Sequence, residues 1–123
     1  MDFFKSINDK YGHHIGDIVL KEFTNTIEKT LRSSDLFGRI GGEEFCVLLQ
    51  STSIEGAKLF AERIRGDIEA IQIMSANVVI KVTVSLGVVS LKNEDNLHEL
   101  LNKADLALYE AKNSGRNKYI YMD

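Results

Sequence analysis

The sequence predicts an α/β fold of the α+β sandwich type, with a mixed, mostly antiparallel central sheet flanked by helices. Three observations support this class: apolar residues recur at helical spacing in three long stretches, Gly-Gly separates two runs of β-formers within 36–49, and residues 71–91 are rich in Val and Ile. A chain of 123 residues can bury one hydrophobic core but not two, so we expect a single domain spanning 1–123.

Two helices are predicted before the glycine pair. We expect residues 1–4 to form the end of a strand and residues 5–11 a short helix that stops at Gly12, because glycine commonly ends helices. A longer helix follows, with Asp17 as its N-cap, since a carboxylate accepts hydrogen bonds from the free N–H groups of a first turn. Its buried face is predicted to consist of Leu20, Phe23, Ile27 and Leu31.

The glycine pair predicts a β-hairpin with a two-residue turn. The strands are expected at 36–40 and 45–49, and Gly41 and Gly42 would supply the positive φ angles of the turn.

Glu43 and Glu44 would open the return strand and place two carboxylates beside a bare backbone surface. Such a surface suits a phosphate ester and a hard divalent cation, because glycines let a ligand approach the main chain and Mg²⁺ prefers oxygen ligands. Taken alone, these residues fit a solvated hairpin tip better than a ligand site.

Two further helices and more strands are predicted after the hairpin. Thr52 and Glu55 have the spacing of a capping box for a helix that runs to about Ala70, and residues 71–91 should supply at least one buried strand. The inward face of this helix is predicted to consist of Ala57, Phe60, Ala61, Ile64 and Ile68.

The last helix is predicted over 97–113, with Asp95 or Asn96 as its N-cap and Ser114-Gly115 at its end. A final strand is expected at 118–121. The core stripe of this helix would consist of Leu97, Leu100, Leu101, Ala104, Leu108 and Ala111.

Composition excludes several classes of function. The chain carries 15 Lys and Arg against 18 Asp and Glu, and a net charge of -3 argues against a broad surface for DNA or RNA. No apolar run is long enough to cross a membrane, and no secretory signal is visible. Cys46 lies in an apolar run and is expected to be a small buried core residue, which fits a cytoplasmic protein. The histidines lack the spacing of a zinc site.

Five groups of motifs occur in order along the chain: DFFKSIND with YGH and GD over 2–17, RIGGEEF at 39–45, SLGV at 85–88, AD, ALY and AK over 104–112, and SGRN at 114–117. Together they resemble the GGDEF domains of diguanylate cyclases over the whole chain. The resemblance implies a fold similar to the nucleotidyl cyclases and the polymerase palm. It also implies the reaction, in which two GTP molecules condense to cyclic di-GMP with release of two pyrophosphates, with Mg²⁺ or Mn²⁺ as cofactor.

The resemblance assigns roles to the hairpin and the first helix. Glu43 would be a metal ligand, and Glu43 or Glu44 would be the carboxylate nearest the attacking hydroxyl. Gly41 and Gly42 would make room for the nucleotide. Lys5 would stabilise charge near the phosphates; without the resemblance it would be a solvated lysine.

Five further residues match nucleotide contacts of the family. Asn8 and Asp17 match its guanine readers, which is chemically apt because a carboxylate accepts from N1 and N2 of guanine and an amide serves the acceptor edge. His13 matches a further nucleotide contact. Lys112 and Arg116 match triphosphate contacts, although cations near a helix C-terminus also interact favourably with the helix dipole.

The stretch from Arg32 to Asp35 resembles the RxxD product-inhibition site of the family. Arginine can bind the O6 and N7 edge of guanine with two hydrogen bonds and can also pair with phosphate. Arg63 resembles the second basic residue of this site. The alternative is an i, i+3 ion pair at a helix end, worth a few tenths of a kcal/mol.

Members of the family begin earlier, with a helix and a first strand that ends in Asp-x-Asp. The resemblance therefore implies that the chain starts inside this motif, lacking that helix and strand: the first Asp, a metal ligand, would stand just before Met1. The main-chain carbonyl of Met1 would bind the metal, and Asp2 would be the second Asp, a poor substitute for the first. We expect a chain that begins at Met1 to be unstable alone and inactive, because a domain is stable by only about 5 to 15 kcal/mol.

Three hypotheses follow. The first is an enzyme that binds GTP and forms a transient homodimer of two GGDEF domains, because its product has two-fold symmetry. An upstream sensory or receiver domain would regulate it. It would lie in the cytoplasm or on the cytoplasmic side of a membrane-bound sensor. The second is a non-catalytic receptor for cyclic di-GMP or GTP. The third is a nucleotide-binding domain with another product. Glu43 and Glu44 favour the enzyme, whereas Asn8 and Asp17 disfavour the third hypothesis.

Overall fold

The structure, a computed structural model, describes residues 1–92 and 96–123. Its helices are α1 (Phe4–Tyr11), α2 (His13–Glu28), α3 (Ile54–Glu69) and α4 (Leu97–Asn113). Its strands are β1 (Leu36–Gly41), β2 (Glu44–Leu48), β3 (Ile73–Ser75), β4 (Val78–Ile80), β5 (Leu86–Val89) and β6 (Tyr119–Met122). The α/β class is confirmed. Within the described residues, no helix combines the length and the apolar character that a membrane crossing needs.

The strands pair in a mixed and mostly antiparallel way, as predicted. β1 pairs with β2 and β3 with β4 in antiparallel fashion, whereas β5 and β6 are parallel. Over the described residues they form three two-stranded sheets and not one continuous sheet. The stretch 81–85 between β4 and β5 buries Val82 and Val84 but joins no ladder. Among the described residues it forms one main-chain hydrogen bond, in which the Thr83 carbonyl accepts from the Asp2 amide at 2.9 Å, and a ladder needs a series of such bonds.

The hydrophobic core connects α2, α3 and the strand-rich segment 73–84. Phe23, Ile64 and Ile68 are almost completely buried and lie on the helix faces that the apolar spacing predicted. The ring of Phe45 on β2 lies 5.1 Å from that of Phe23, so the hairpin is packed directly against α2.

α4 packs closely on β5 at Gly87. A Cβ atom at this position would lie 2.3 Å from the Ala104 carbonyl oxygen and 3.2 Å from the Ala107 Cβ. Only a residue without a side chain allows the helix to approach the strand this closely. Ala107 and Ala111 are completely buried at this contact face of the helix, and Gly87 therefore sets the position of α4 relative to the parallel pair β5–β6.

The start of the chain differs from the prediction. Residues 1–4 are not a strand, because Phe3 has a φ of 60° and α1 begins at Phe4. The end of α1 before Gly12 is confirmed. The prediction that Asp17 is an N-cap is wrong: Gly12, with a φ of 90°, alone separates the two helices, so α2 begins at His13 and Asp17 lies inside it.

The hairpin turn is shifted by one residue. Gly41 is the last residue of β1 and pairs with Glu44, so the turn consists of Gly42 and Glu43. Gly42 has a φ of +52°, whereas Gly41 is not in the positive region, which corrects the predicted Gly-Gly turn. The register shifts between Arg39 and Gly41, and this irregularity lengthens β1 by one residue. Glu43 consequently lies at the tip of the hairpin.

Cys46 is exposed, so the prediction that it is a buried core residue is wrong. Side chains of a strand alternate between its two faces. Phe45 and Val47 face the core and are half-buried, which places Cys46 on the opposite, outward face of β2.

The cap of α3 is Ser53, not Thr52. The Ser53 hydroxyl accepts from the Gly56 amide at 3.0 Å, whereas the Thr52 hydroxyl donates to the Gln50 carbonyl at 2.9 Å. The end of α3 at Glu69, with Ala70 as its C-cap, agrees with the prediction.

The bounds of α4 and its Asn96 N-cap are confirmed, and β6 begins one residue later than predicted. Asp95, the alternative cap, lies outside the described residues. The predicted core stripe is wrong at Leu97 and Leu101, which are 66% and 37% exposed. A 17-residue helix is about 25 Å long and a four-residue strand about 13 Å, so the first turns of α4 extend beyond β5.

Candidate functional site

Asn8 and Gly16 form a close contact between α1 and α2. A Cβ atom at Gly16 would lie 1.6 Å from the Asn8 Oδ1 atom, so the asparagine side chain occupies the space that a side chain at 16 would fill. The Asn8 Oδ1 atom is buried and has no hydrogen-bond partner among the described residues. A buried acceptor without a partner costs free energy, and this atom is therefore a candidate for satisfaction by a ligand.

Asp17 lines a cleft of about 520 Å³ between α2 and the hairpin. The rings of Phe37 and Phe45, also in its lining, are stacked with their centroids 5.6 Å apart, and Arg39 lies at the same cleft. A planar base could lie against these rings while charged side chains bind its edge. His13 is exposed at the first position of α2 and does not line this cleft.

Arg39 holds the turn at the hairpin tip. Its Nε and Nη2 atoms donate to the Gly42 carbonyl oxygen at 2.8 and 2.5 Å. The main-chain nitrogen of Met1 donates to the Glu43 carbonyl oxygen at 3.0 Å, which brings the main chain of Met1 to the same place. The Glu43 carboxylate forms no hydrogen bond or ion pair with the described residues, so the turn is fixed by main-chain acceptors and this carboxylate can bind a ligand.

The two cations near the end of α4 are each paired with an acid. The Lys112 Nζ atom lies 3.9 Å from the Glu44 Oε1 atom, and the Arg116 Nη1 atom lies 3.8 Å from the Asp2 Oδ1 atom. Both ion pairs are long. The Lys112–Glu44 pair lies near the surface, where such pairs contribute little stability, so a phosphate could replace Glu44. Asp2 is buried and has three other donors, so it stays paired if Arg116 turns to a phosphate. Lys5, on the first turn of α1, is exposed and forms no ion pair among the described residues.

Asp2 is completely buried and its carboxylate is bound on all sides by protein groups. The hydroxyls of Thr83 and Ser85 donate to it at 2.8 Å each, and the Asn117 amide donates at 3.3 Å. Arg116 adds the long ion pair, and its guanidinium also lies 4.6 Å from the centre of the Phe3 ring. Asp2 therefore joins the start of the chain to two distant segments and is not available to a metal ion.

The donor set at the hairpin tip fits a Mg²⁺ ion in part. Among residues 1–92 and 96–123 no three acidic, His or Cys side chains form a ready cluster. The Met1 nitrogen nevertheless contacts the Glu43 main-chain carbonyl, so these two residues are neighbours, and the Met1 carbonyl and the Glu43 carboxylate are oxygen groups of the kind that Mg²⁺ prefers. Mg²⁺ is usually held by one or two carboxylates together with substrate phosphates and water, so this set is sufficient only with a nucleotide present.

The Arg32 to Asp35 stretch forms a closed network. The Arg32 Nη2 atom donates to the Asp35 Oδ1 atom at 3.2 Å, to the Gln50 carbonyl at 2.8 Å and to the Thr52 hydroxyl at 2.7 Å. The hydrogen bond from the Arg32 side chain lowers the pKa of Asp35. Arg32 is 57% exposed while the Asp35 side chain is 2% exposed. Arg63 pairs with Asp67 at 3.9 Å and has no recorded contact with this network.

Most of the predicted site residues thus fall into three groups, to which Lys5, His13 and Arg63 do not belong. Glu43, Glu44, Lys112 and Arg116 are connected around the hairpin tip through the contacts with Met1 and Asp2. Asn8 and Asp17 lie on α1 and α2, and the RxxD residues form the separate network.

Arg39 connects the first two groups, because it binds the turn and lines the cleft of Asp17. No role was predicted for Arg39 from the sequence, although it stands within RIGGEEF. Thr83, Ser85 and Asn117 were also missed, and their distance in sequence from Asp2 left no local signal.

Gly16→Ala is expected to weaken GTP binding at least about tenfold, because the new Cβ would displace the Asn8 amide from its position. Calorimetry with GTP and Mg²⁺ measures this. Gly66→Ala is the matched control, since a Cβ atom at Gly66, also within a helix, has no neighbour within 4 Å. Equal GTP affinity for Gly16→Ala and the parent would contradict a role for Asn8 in binding the nucleotide.

A family model described as "Diguanylate cyclase, GGDEF domain" matches residues 1–118. The chain is 47% identical over 126 residues to "Probable diguanylate cyclase DgcT" of Escherichia coli (strain K12). This match covers 100% of the chain but 28% of that protein, so the chain spans less than a third of the length of this curated relative.

Two solved structures resemble the fold closely. The GGDEF domain of DgcB from Caulobacter crescentus, in complex with c-di-GMP, is 29% identical with a TM-score of 0.93; the match covers 98% of this chain and 72% of that one. The active GGEEF domain of a diguanylate cyclase from Vibrio cholerae is 35% identical with a TM-score of 0.88, covering 99% of this chain and 78% of that one.

Proposed function

The chain belongs to the GGDEF family of diguanylate cyclases, and we propose that it is the catalytic domain of a protein that condenses two GTP molecules to cyclic di-GMP and two pyrophosphates. The observation that carries the proposal is the hairpin tip, where the Glu43 carboxylate has no hydrogen bond or ion pair within residues 1–92 and 96–123 and the neighbouring Glu44 carboxylate lies 3.9 Å from the Lys112 Nζ atom. A domain that only bound a nucleotide would have no need of this acidic group.

In the proposed reaction the 3′-hydroxyl of one GTP attacks the α-phosphorus of the other. The new P–O bond replaces the bond to pyrophosphate, and the hydroxyl proton passes to Glu43 or Glu44. A second attack in the opposite sense, by the 3′-hydroxyl of the second nucleotide on the α-phosphorus of the first, closes the ring and releases the second pyrophosphate. Lys112 and Arg116 exchange their acidic partners for triphosphate oxygens, and Lys5 balances charge near the phosphates.

Guanine is proposed to bind in the cleft between α2 and the hairpin. Asp17 accepts from N1 and N2 of the base, and the Nδ2 atom of Asn8 donates to its acceptor edge. Gly41 and Gly42 leave the main chain bare beside the nucleotide, since a Cβ atom at either position would meet nothing within 4 Å. His13, at the start of α2, adds a contact at the rim.

Glu43 and the main-chain carbonyl of Met1 would hold Mg²⁺ or Mn²⁺ together with the phosphates. Bound there, the ion would neutralise charge that develops on the attacking and leaving oxygens.

The proposal is tested by incubating the purified chain, and a version extended upstream, with GTP and Mg²⁺ and identifying the product by mass spectrometry. Cyclic di-GMP from either protein supports the enzyme. Binding of GTP or cyclic di-GMP without turnover in both would favour the alternative, a non-catalytic receptor. Another product would favour the third hypothesis.

Cyclic di-GMP is proposed to bind at Arg32 and Asp35 as a product-inhibition site, with Arg63 as a second cation. The bonds from Arg32 use its Nε and Nη2 atoms, so Nη1 is free to donate to a guanine edge, and a bidentate contact would also take Nη2 from one of its three protein acceptors. The DgcB structure contains c-di-GMP bound to a GGDEF domain, which supports such binding in principle.

Arg32→Ala is expected to weaken cyclic di-GMP binding by about 1 to 3 kcal/mol, the value of a bidentate arginine–guanine contact. Calorimetry with the chain and the variant measures the change. Lys29→Ala removes a nearby cation at the end of α2 and should leave the affinity unchanged. If Arg32→Ala binds as tightly as the parent, the RSSD stretch is only an ion pair that follows a helix.

The productive species is proposed to be a weak homodimer. One chain offers one hairpin and one set of guanine readers, whereas the product is built from two GTP molecules related by a two-fold axis. Specific activity should therefore rise with enzyme concentration in the dilute range. A rate strictly proportional to concentration down to the lowest dilution would contradict the dimer.

An upstream sensory or receiver domain is proposed as the regulator of this activity. Neither DNA nor RNA is proposed as a partner.

A further inference from the structure

We infer that Arg65 on α3 is a positioning residue that sets the Arg116 guanidinium in place through the side chain of Asn117. This inference rests on the proposed function, in which Arg116 binds the triphosphate. Arg65 belongs to none of the motifs that carry the family resemblance, and it lies on a different element from every proposed substrate contact.

The loop that carries Arg116 has an unusual backbone. Gly115, Arg116 and Asn117 have φ angles of +116°, +63° and +51°. Residues with side chains seldom adopt such angles, and they do so where the surrounding structure holds them. The main chain supplies two holding contacts: the Arg116 amide donates to the Ala111 carbonyl at 3.0 Å, and the Asn117 amide donates to the Asp2 carboxylate at 3.3 Å.

The Asn117 side chain is bound at both ends by α3. Its Oδ1 atom accepts from the Arg65 Nη1 atom at 3.1 Å, and its Nδ2 atom donates to the Glu69 carboxylate. Because donor and acceptor are both engaged, the amide has one orientation and the loop is tied to a helix about 50 residues earlier in sequence.

Arg65 is itself held rigidly. Its Nε atom donates to both carboxylate oxygens of Glu62 at 3.0 and 2.9 Å, and its Nη2 atom donates to Oε1 at 2.6 Å. Its side chain is 20% exposed. Arg63, on the same helix, forms a single contact of 3.9 Å with Asp67 and is 68% exposed, as is usual for a surface ion pair. The bidentate geometry at Arg65 instead fixes the direction of its Nη1 group.

Within residues 1–92 and 96–123, the Arg116 guanidinium has no comparable support of its own. Its contacts there are the 3.8 Å ion pair with Asp2 and the Phe3 ring, whose centre lies 4.6 Å away. The direction of the guanidinium therefore depends on the backbone at 116–117, which the side-chain amide of Asn117 holds against α3. Loss of the Arg65 contact would leave the Asn117 side chain with its bond to Glu69 alone among the described residues, which would loosen the loop and lower the fraction of molecules with Arg116 ready for phosphate.

A double-mutant cycle tests the inference in the full chain. Arg65→Gln and Asn117→Gly should each weaken GTP binding by about threefold to tenfold and leave GMP binding unchanged. Glycine is chosen at position 117 because it tolerates the φ of +51° found there. Added to Arg116→Ala, either change should cause no further loss, because both act through Arg116. Lys58→Gln, which removes a charge from the same helix near Tyr121, is the control and should keep the parental affinity.

Additive losses, or equal losses for GTP and GMP, would overturn the inference in favour of a merely structural role. If Arg116→Ala itself leaves GTP affinity unchanged, the proposed role of Arg116 in triphosphate binding fails. The relaxation of the Arg116 Nε–H NMR signal then still decides the inference, since it requires no nucleotide. Increased mobility of this group in Arg65→Gln supports positioning by Arg65, and unchanged mobility overturns it.

Discussion

Glu43→Gln is expected to abolish GTP condensation, a loss of at least about a hundredfold, while the protein unfolds at the same temperature as the parent. The substitution keeps the volume and shape of the side chain and removes one negative charge from the hairpin tip. The turn itself should not change, because Arg39 and Met1 bind the Gly42 and Glu43 carbonyl oxygens and no described residue binds the Glu43 carboxylate.

Product formation from GTP and Mg²⁺ measures this loss, in the upstream-extended protein if the chain alone is inactive. Glu55→Gln, on the exposed first turn of α3, removes the same charge outside the hairpin and should keep full activity. Glu44→Gln separates the two candidate bases: if it causes the larger loss, Glu44 takes the proton. Parental turnover by Glu43→Gln would show that this carboxylate is neither a metal ligand nor the base.

Asp2→Ala is expected to lower the free energy of unfolding by about 3 kcal/mol or more, which is a large part of the stability of a typical domain. The side chain is 0% exposed, and its removal would leave two hydroxyls, the Asn117 amide and Arg116 without their acceptor. Unpaired buried donors each cost free energy, although Arg116 is partly exposed and water would replace some of its lost interaction.

Urea unfolding of Asp2→Ala and the parent measures this difference. Asp2→Asn should lose less, because an amide oxygen still accepts from a hydroxyl. Asp9→Ala, an exposed acid on α1, is the matched control and should change stability by less than about 0.5 kcal/mol. The predicted role of Asp2 is wrong if Asp2→Ala and Asp9→Ala unfold at the same urea concentration.

The helices were predictable to a large extent from the sequence. The ends of α1 and α4 and the buried faces of α2 and α3 follow from glycines, capping residues and apolar spacing, which act over three or four neighbouring residues. Errors occurred where a distant segment changes the outcome. The register of β1 against β2 moved the turn from Gly41-Gly42 to Gly42-Glu43, and the short β5 left the first turns of α4 without a partner.

The candidate site divides in the same way. Glu43, Asn8 and Asp17 were found because they belong to local motifs, and the roles assigned to them remain predictions. Arg39 stands in a motif as well, yet its bond to the Gly42 carbonyl depends on the shape of the folded turn.

The sequence by itself determined the family, the helices and the motif residues, because these depend on order and spacing along the chain. Only the tertiary structure decided what Asp2 and Arg65 do. The hydroxyls that bind Asp2 lie 81 and 83 positions away, and the Asn117 side chain lies 52 positions from Arg65. No local pattern encodes such contacts, because a carboxylate can bind either a metal or a protein donor. Only the packing of distant segments places protein donors around Asp2.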